Sequence, residues 1–177
     1  AASDVYKRQG QSGAGKSTLA AWMTARQCTY LTDELIYISM DVPGHIDYFR
    51  RPLCLKTGSR QLIEKLLAAE QQKEILADRH GAVIPYRLLN QSSAPAPSPP
   101  SVIVLPSYQP GASPKLEPMS RARLTTLLMG CHVNARNLAD HGFKEIIDIA
   151  RSTPAYALKY GNLEEVEKIL RKIMQLQ

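Results

Sequence analysis

Gly10-Gln11-Ser12-Gly13-Ala14-Gly15-Lys16-Ser17 fits the pattern G-x-x-x-x-G-K-[ST] in full. Each position has a physical task in holding a polyphosphate. Glycines let the backbone turn tightly and bring successive N–H groups round an anion. A lysine at position 16 reaches the outer phosphates as a compact positive charge, and the Ser17 hydroxyl can ligate Mg²⁺. Thr18 to Arg26 reads as a helix that starts at the lysine, so its positive dipole end faces the same anion. The candidate phosphate-binding residues are Gly10, Ser12, Gly13, Ala14, Gly15, Lys16, Ser17 and Thr18, and the cofactors this chemistry calls for are ATP and Mg²⁺.

Transfer of a phosphoryl group also needs acids, to place the metal and to orient or deprotonate an attacking hydroxyl. Asp33-Glu34 and Asp41 are the candidates. If Leu31-Thr32-Asp33 ends a strand directly after the first helix, a right-handed β-α-β crossover brings Asp33 back to Lys16. Asp41 closes the apolar run Leu35 to Met40 but stands before Val42-Pro43-Gly44, where an aspartate serves turn chemistry. Arg50, Arg51 and Lys56 could meet phosphate or carboxylate groups, or form an exposed basic edge. The four histidines have no metal-ligand spacing.

The elements that must position these residues are partly legible. A P-loop normally follows a buried apolar strand, yet Ala1 to Gln9 offers only Val5 and Tyr6 as strand formers. We expect residues 1–9 to be a non-native leader. The alternative is a short polar edge strand. Residues 10–177 then form a single α/β domain. Leu35 to Met40 and His45 to Phe49 read as a hairpin, and Arg50 to Lys56 as extended chain ended by Thr57-Gly58-Ser59. Ser59 is expected to cap a helix over Arg60 to Ala69. Gln91 to Pro100 is a solvated Pro-rich loop, and Ser101 to Leu105 a buried strand. Tyr108 to Pro118 reads as a second Pro-rich loop. Helices are expected over Ser120 to Cys131, Phe143 to Ala150 and, capped by Asn162, Leu163 to Met174, with a strand at Tyr156 to Tyr160.

The composition sets limits. The 177 residues suffice for one domain with a core, and 44% hydrophobic content is ordinary for a globular chain. No run reaches the ~20 apolar residues of a membrane helix. Cys28, Cys54 and Cys131 lack C-x-x-C spacing, which points to small core residues in a reducing, cytoplasmic setting. The net charge of +6 is scattered, and with two Phe and one Trp for base stacking a nucleic-acid partner is not expected.

The P-loop, its helix and Tyr30-Leu31-Thr32-Asp33-Glu34-Leu35-Ile36 together resemble the HPr serine kinase/phosphorylase superfamily. They are most similar to the HPr-kinase-related proteins of peptide-modification gene clusters. Arg51-Pro52-Leu53-Cys54-Leu55-Lys56-Thr57-Gly58-Ser59, Val102 to Tyr108 with Pro110-Gly111-Ala112, and Tyr156 to Gly161 carry the same resemblance. It implies a phosphoenolpyruvate-carboxykinase-like P-loop fold, a mixed sheet with flanking helices. The implied activity is ATP-dependent phosphorylation of a serine or other hydroxyl on a protein or small acceptor. Asp33 would be the general base, Glu34 would join Ser17 at the metal, and Lys16 would neutralise developing charge. The chain departs from HPr kinases proper in having Glu at the second acid and no Gly-rich C-terminal signature. A nucleotide-binding accessory protein of a peptide-maturation system, without phosphotransfer, is the alternative. An ATPase or GTPase switch is disfavoured by the lack of LSGGQ-like and N-K-x-D motifs. Oligomeric state is left open.

Overall fold

The computed structural model describes residues 4–7, 13–39, 41–93 and 95–175. The class is mixed α/β, with nine strands and six α-helices among the described residues. The strands form three three-stranded sheets. By contacts the chain divides into two compact units. One comprises Ala1–Ala14, Glu34–Tyr48 and Pro97–Gln177; the other comprises Gly15–Asp33 and Phe49–Ala96.

In the first unit, β1 (Asp4–Lys7), β2 (Leu35–Ile38) and β3 (Ile46–Asp47) form an antiparallel sheet with β2 in the centre. Of the two readings of the stretch before the P-loop, a leader or a short polar edge strand, Asp4–Lys7 takes the conformation of the second. It is an edge strand, where pairing rests on backbone groups and a polar sequence is tolerated. The β2–β3 hairpin turns at Asp41 to Gly44, as the sequence indicates. Gly44 takes φ 76, and the Ser39 hydroxyl accepts from Val42 N–H at 3.2 Å.

The other sheet of this unit is mixed. β7 (Ile103–Tyr108) runs parallel to β9 (Ala155–Tyr160), and β8 (Lys115–Pro118) pairs antiparallel on the other side of β9. Pro106 and Pro118 both stand on edge strands, where a missing N–H need not break a ladder. That placement explains β8, a strand in a segment expected to be loop. β7 is half-buried over Ile103–Pro106 rather than fully buried, because an edge strand packs fewer neighbours.

The parallel pair needs a helical crossover, supplied by α4 (Arg121–Cys131) and α5 (Phe143–Ser152), which pack on each other. Ile146 and Ile149 of α5 are buried with Ile38 of β2, and Leu124, Ala150 and Ala155 form an adjoining cluster. The α5 start requires a glycine. Gly142 takes φ 67, and a Cβ there would lie 2.5 Å from the His132 ring. α6 (Leu163–Ile173) closes this unit and buries Val166 and Leu170.

In the second unit, β4 (Leu53–Lys56), β6 (Gly81–Ile84) and β5 (Leu76–Ala77) form an antiparallel sheet with β6 in the centre. Leu53 and Leu55 alternate inward along β4, while Cys54 and Lys56 face out. Cys54 is therefore exposed, and Cys28 and Cys131 are half-buried, so none is the core residue expected. Gly81 admits close strand approach, since a Cβ would stand 2.1 Å from the Leu55 carbonyl oxygen. α1 (Lys16–Ala25) packs on β4 and on α2 (Thr57–Glu64), with α3 (Ala69–Gln72) following. Helix α2 begins two residues before the expected cap. Ser59 lies inside its first turn, and Lys56 takes the N-cap position without a side-chain cap.

Candidate functional site

The described part of the P-loop begins at Gly13; Gly10, Gln11 and Ser12 lie outside the described residues. Gly13 and Gly15 take φ 97 and φ 85, a left-handed backbone that other residues adopt at a cost. This is the local demand that the motif's glycines meet. Gly15 is the N-cap of α1, which carries no side-chain cap and no acid in its first turn. Lys16, Ser17 and Thr18 therefore occupy the first three helical positions, at the positive end of the helix dipole.

Asp33 returns to this helix start. The residue is 4% exposed, and the Ser17 hydroxyl stands 3.4 Å from each of its two carboxylate oxygens. That is long for an O–H···O bond. It suits two oxygen donors that could share a hard cation, since neighbouring ligands on a hexacoordinate Mg²⁺ stand about 3 Å apart. The residues present fit the ion that the motif calls for.

The route that brings Asp33 home differs from the expected one. Leu31–Asp33 is not a strand, and no β-α-β crossover forms there. Instead α1 ends in a left-handed turn at Gln27, φ 73. Cys28 N–H donates to the Met23 carbonyl at 3.0 Å, and Gln27 N–H to that of Thr24 at 3.2 Å. These two bonds are the pattern of a Schellman C-cap. The Asn90 amide then donates to the Thr24 and Cys28 carbonyls at 3.5 and 3.4 Å. Tyr30 is buried and stacked on Tyr86 with ring centroids 5.6 Å apart. Side-chain anchors rather than a sheet hold the segment that carries Asp33.

Glu34 does not repeat the environment of Asp33. It is exposed, with φ 64, and belongs to the other compact unit. Asp41 is exposed in the β2–β3 turn, the place its turn residues indicate. Among the described residues, no group of three or more His, Cys, Asp or Glu is gathered to hold a metal. Arg50 is occupied within its own unit: Nη1 donates to the Ser92 carbonyl at 2.9 Å, and the guanidinium lies 5.2 Å from the Tyr86 ring centroid. Arg51, Lys56 and His80 are exposed.

Two contacts were invisible in the sequence. In the first unit, Tyr108 N–H donates to the Ala14 carbonyl at 3.1 Å. This ties the P-loop residue Ala14 to the carboxyl end of a strand in a parallel pair, the edge where open α/β sheets bind ligands. The Tyr108 ring is 45% exposed and stands edge-on to the buried Tyr160 at 5.5 Å. In the second unit, the Thr18 hydroxyl bonds the Ser59 hydroxyl at 2.6 Å. The Thr57-Gly58-Ser59 run was the available signal, but it reads equally as a strand terminator.

No helix among the described residues is long and apolar enough to cross a membrane. No family model, no curated protein and no solved structure matches this chain.

Proposed function

We propose that the chain is an ATP-dependent phosphotransferase of the HPr-kinase-like class, with a phosphoenolpyruvate-carboxykinase-like P-loop fold, acting on a serine or other hydroxyl acceptor. One observation carries the reading: a buried carboxylate, Asp33, stands against the P-loop hydroxyl of Ser17 at the start of α1. Gly15 and Lys16 at the same helix start, with the G-x-x-x-x-G-K-[ST] pattern of the sequence, support it.

Bound Mg-ATP would supply the transferable phosphoryl group and a cation that spreads its charge. The chain's own residues do the rest. Lys16 and the amides at the start of α1 stabilise negative charge on the phosphate oxygens, most strongly where it develops in the transition state. Ser17 and Asp33 offer hard oxygen ligands on the metal side. The base role for Asp33 needs one of its carboxylate oxygens to take the proton of the acceptor hydroxyl. Glu34, which the resemblance puts at the metal, is exposed with a left-handed backbone.

The test uses labelled ATP, the full chain and candidate hydroxyl acceptors, with nucleotide binding measured in parallel. Lys16→Ala is expected to weaken ATP binding at least ~10-fold, about 1.4 kcal/mol. Unchanged affinity in that variant would overturn the P-loop reading. Asp33→Asn separates the two roles of the acid. A base loses turnover while Mg²⁺ affinity holds. A metal-side acid raises the Mg²⁺ concentration needed for tight nucleotide binding. Binding without transfer to any acceptor would favour the accessory-protein alternative.

A further inference from the structure

The hydroxyl pair Thr18–Ser59 has no part in the P-loop pattern, yet it joins two helix starts. Lys16, Ser17 and Thr18 are the first three residues of α1, and Thr57, Gly58 and Ser59 the first three of α2. The third residue of one helix therefore meets the third of the other at 2.6 Å. Neither helix carries a side-chain cap or an acid in its first turn. Most helix starts bring in Ser, Thr, Asp or Asn for the first amides, or a carboxylate for the dipole. Here neither N-cap residue bears a capping hydroxyl or carboxylate, and the two third-position hydroxyls bond each other.

We infer that Ser59 is a positioning residue of the phosphate site. By accepting the Thr18 hydroxyl hydrogen, it fixes the side chain next to Ser17 and sets the first turn of α2 against that of α1. The ligand class it serves is the phosphate chain of a nucleoside triphosphate. This inference rests on the phosphate-binding reading of the P-loop. It goes beyond that reading by giving a second segment, Thr57–Ser59, a share in affinity. The surroundings are permissive: Ser59 is half-buried, and a Cβ placed on the adjacent Gly58 would meet nothing within 4 Å. Small changes at this turn should leave the fold intact.

The experiment is equilibrium titration of the full chain with a fluorescent ATP analogue and with inorganic pyrophosphate, in Mg²⁺, alongside thermal unfolding. Ser59→Ala should raise the dissociation constant of both probes about fivefold, the worth of one ordinary hydrogen bond. Its melting temperature without ligand should stay within about 2 °C of the parent, as surface changes of this size do. Ser59→Thr keeps the hydroxyl and should restore the affinity. In a Thr18→Val background, Ser59→Ala should add nothing further, because the contact is already gone.

Three results would overturn the inference: parental affinity in Ser59→Ala, full additivity with Thr18→Val, or a loss of affinity that only tracks a fall in melting temperature. Failure of the underlying reading looks different. There Lys16→Ala binds the probes as tightly as the parent. If Lys16→Ala loses binding and Ser59→Ala does not, only the role of Ser59 falls.

Discussion

Two pairs of helix starts, one pair in each unit, are built differently; of the others, α5 opens on Gly142 with no side-chain cap but with Glu145 in its first turn, and α3 carries Glu70 in its first turn. In the first unit, α4 and α6 are capped by their own side chains. The Ser120 hydroxyl accepts from Arg123 N–H, and the Asn162 side-chain oxygen accepts from the N–H groups of Glu164 and Glu165. α6 adds Glu164 and Glu165 in its first turn and Arg171 and Lys172 in its last, in keeping with its dipole. In the second unit, α1 and α2 start on Gly15 and Lys56 with neither device. A capped helix start is complete without a ligand. On the proposed function, an uncapped one with a lysine and two hydroxyls in its first turn would receive an anion from outside. On that reading the contrast divides residues that serve stability from residues that would serve binding, and it can be attacked at several points.

The largest effect belongs to the stability side. Ile146→Ala empties a fully buried position of the first unit and should cost about 2–5 kcal/mol in urea unfolding. ATP affinity of the folded protein should not change. A large affinity loss would show that the binding site draws on this core.

Caps come next. Asn162→Ala should lose about 1 kcal/mol of unfolding free energy with no effect on nucleotide affinity. The reverse experiment is sharper. Lys56 already has N-cap geometry, φ −72 and ψ 158, so Lys56→Ser can supply the missing cap of α2. We expect a gain of about 0.5–1 kcal/mol. If the start of α2 serves phosphate, ATP binding should weaken at the same time. Stabilisation with unchanged affinity would remove α2 from the site.

Gln27→Gly probes the turn that leads toward Asp33. Glycine takes φ 73 without the side-chain penalty, so a gain of up to about 1 kcal/mol is expected. Loss of nucleotide affinity in this variant would mean that the glutamine side chain, not the turn alone, matters to the site.

The smallest effect appears only at high pH. Burial, aided by the neighbouring Tyr108, pushes the Tyr160 phenol up to about 12. The folded state thus holds this proton more tightly than the unfolded state, whose tyrosine titrates near 10. The stability it contributes is full below pH 10 and is lost as pH rises toward 12. Tyr160→Phe should flatten that alkaline loss in unfolding measured between pH 9 and 12. An unchanged slope would assign the loss to other groups.

Much of the first unit was legible. α4, α5, β9 and α6 fall where apolar periodicity and the Asn162 cap put them, because those cues are local. The turn at Asp41–Gly44 was legible for the same reason. β8 was not, since three prolines between Gln109 and Pro118 argue for loop, and only pairing with β9 makes an edge strand of Lys115–Pro118. The start of α2 was missed because Lys56 bears no capping group. Among site residues, the conformation of Gly13 and Gly15 follows from the motif. Asp33 was expected beside Lys16 through a crossover; that crossover does not form, and the partner found for Asp33 is Ser17.

The sequence by itself determined the local chemistry: Gly13 and Gly15, which take left-handed backbone, a lysine and two hydroxyls opening α1, and an acid sixteen residues past Ser17. These depend on residue type and short spacing alone. The tertiary structure decided which acid is buried beside the loop. It also decided that Asn90 and Tyr86 hold the segment leading to it, and that Thr18 meets Ser59 across 41 positions. Such contacts are set by how distant segments pack, and no period or motif in one stretch of chain encodes the partner it will meet in another.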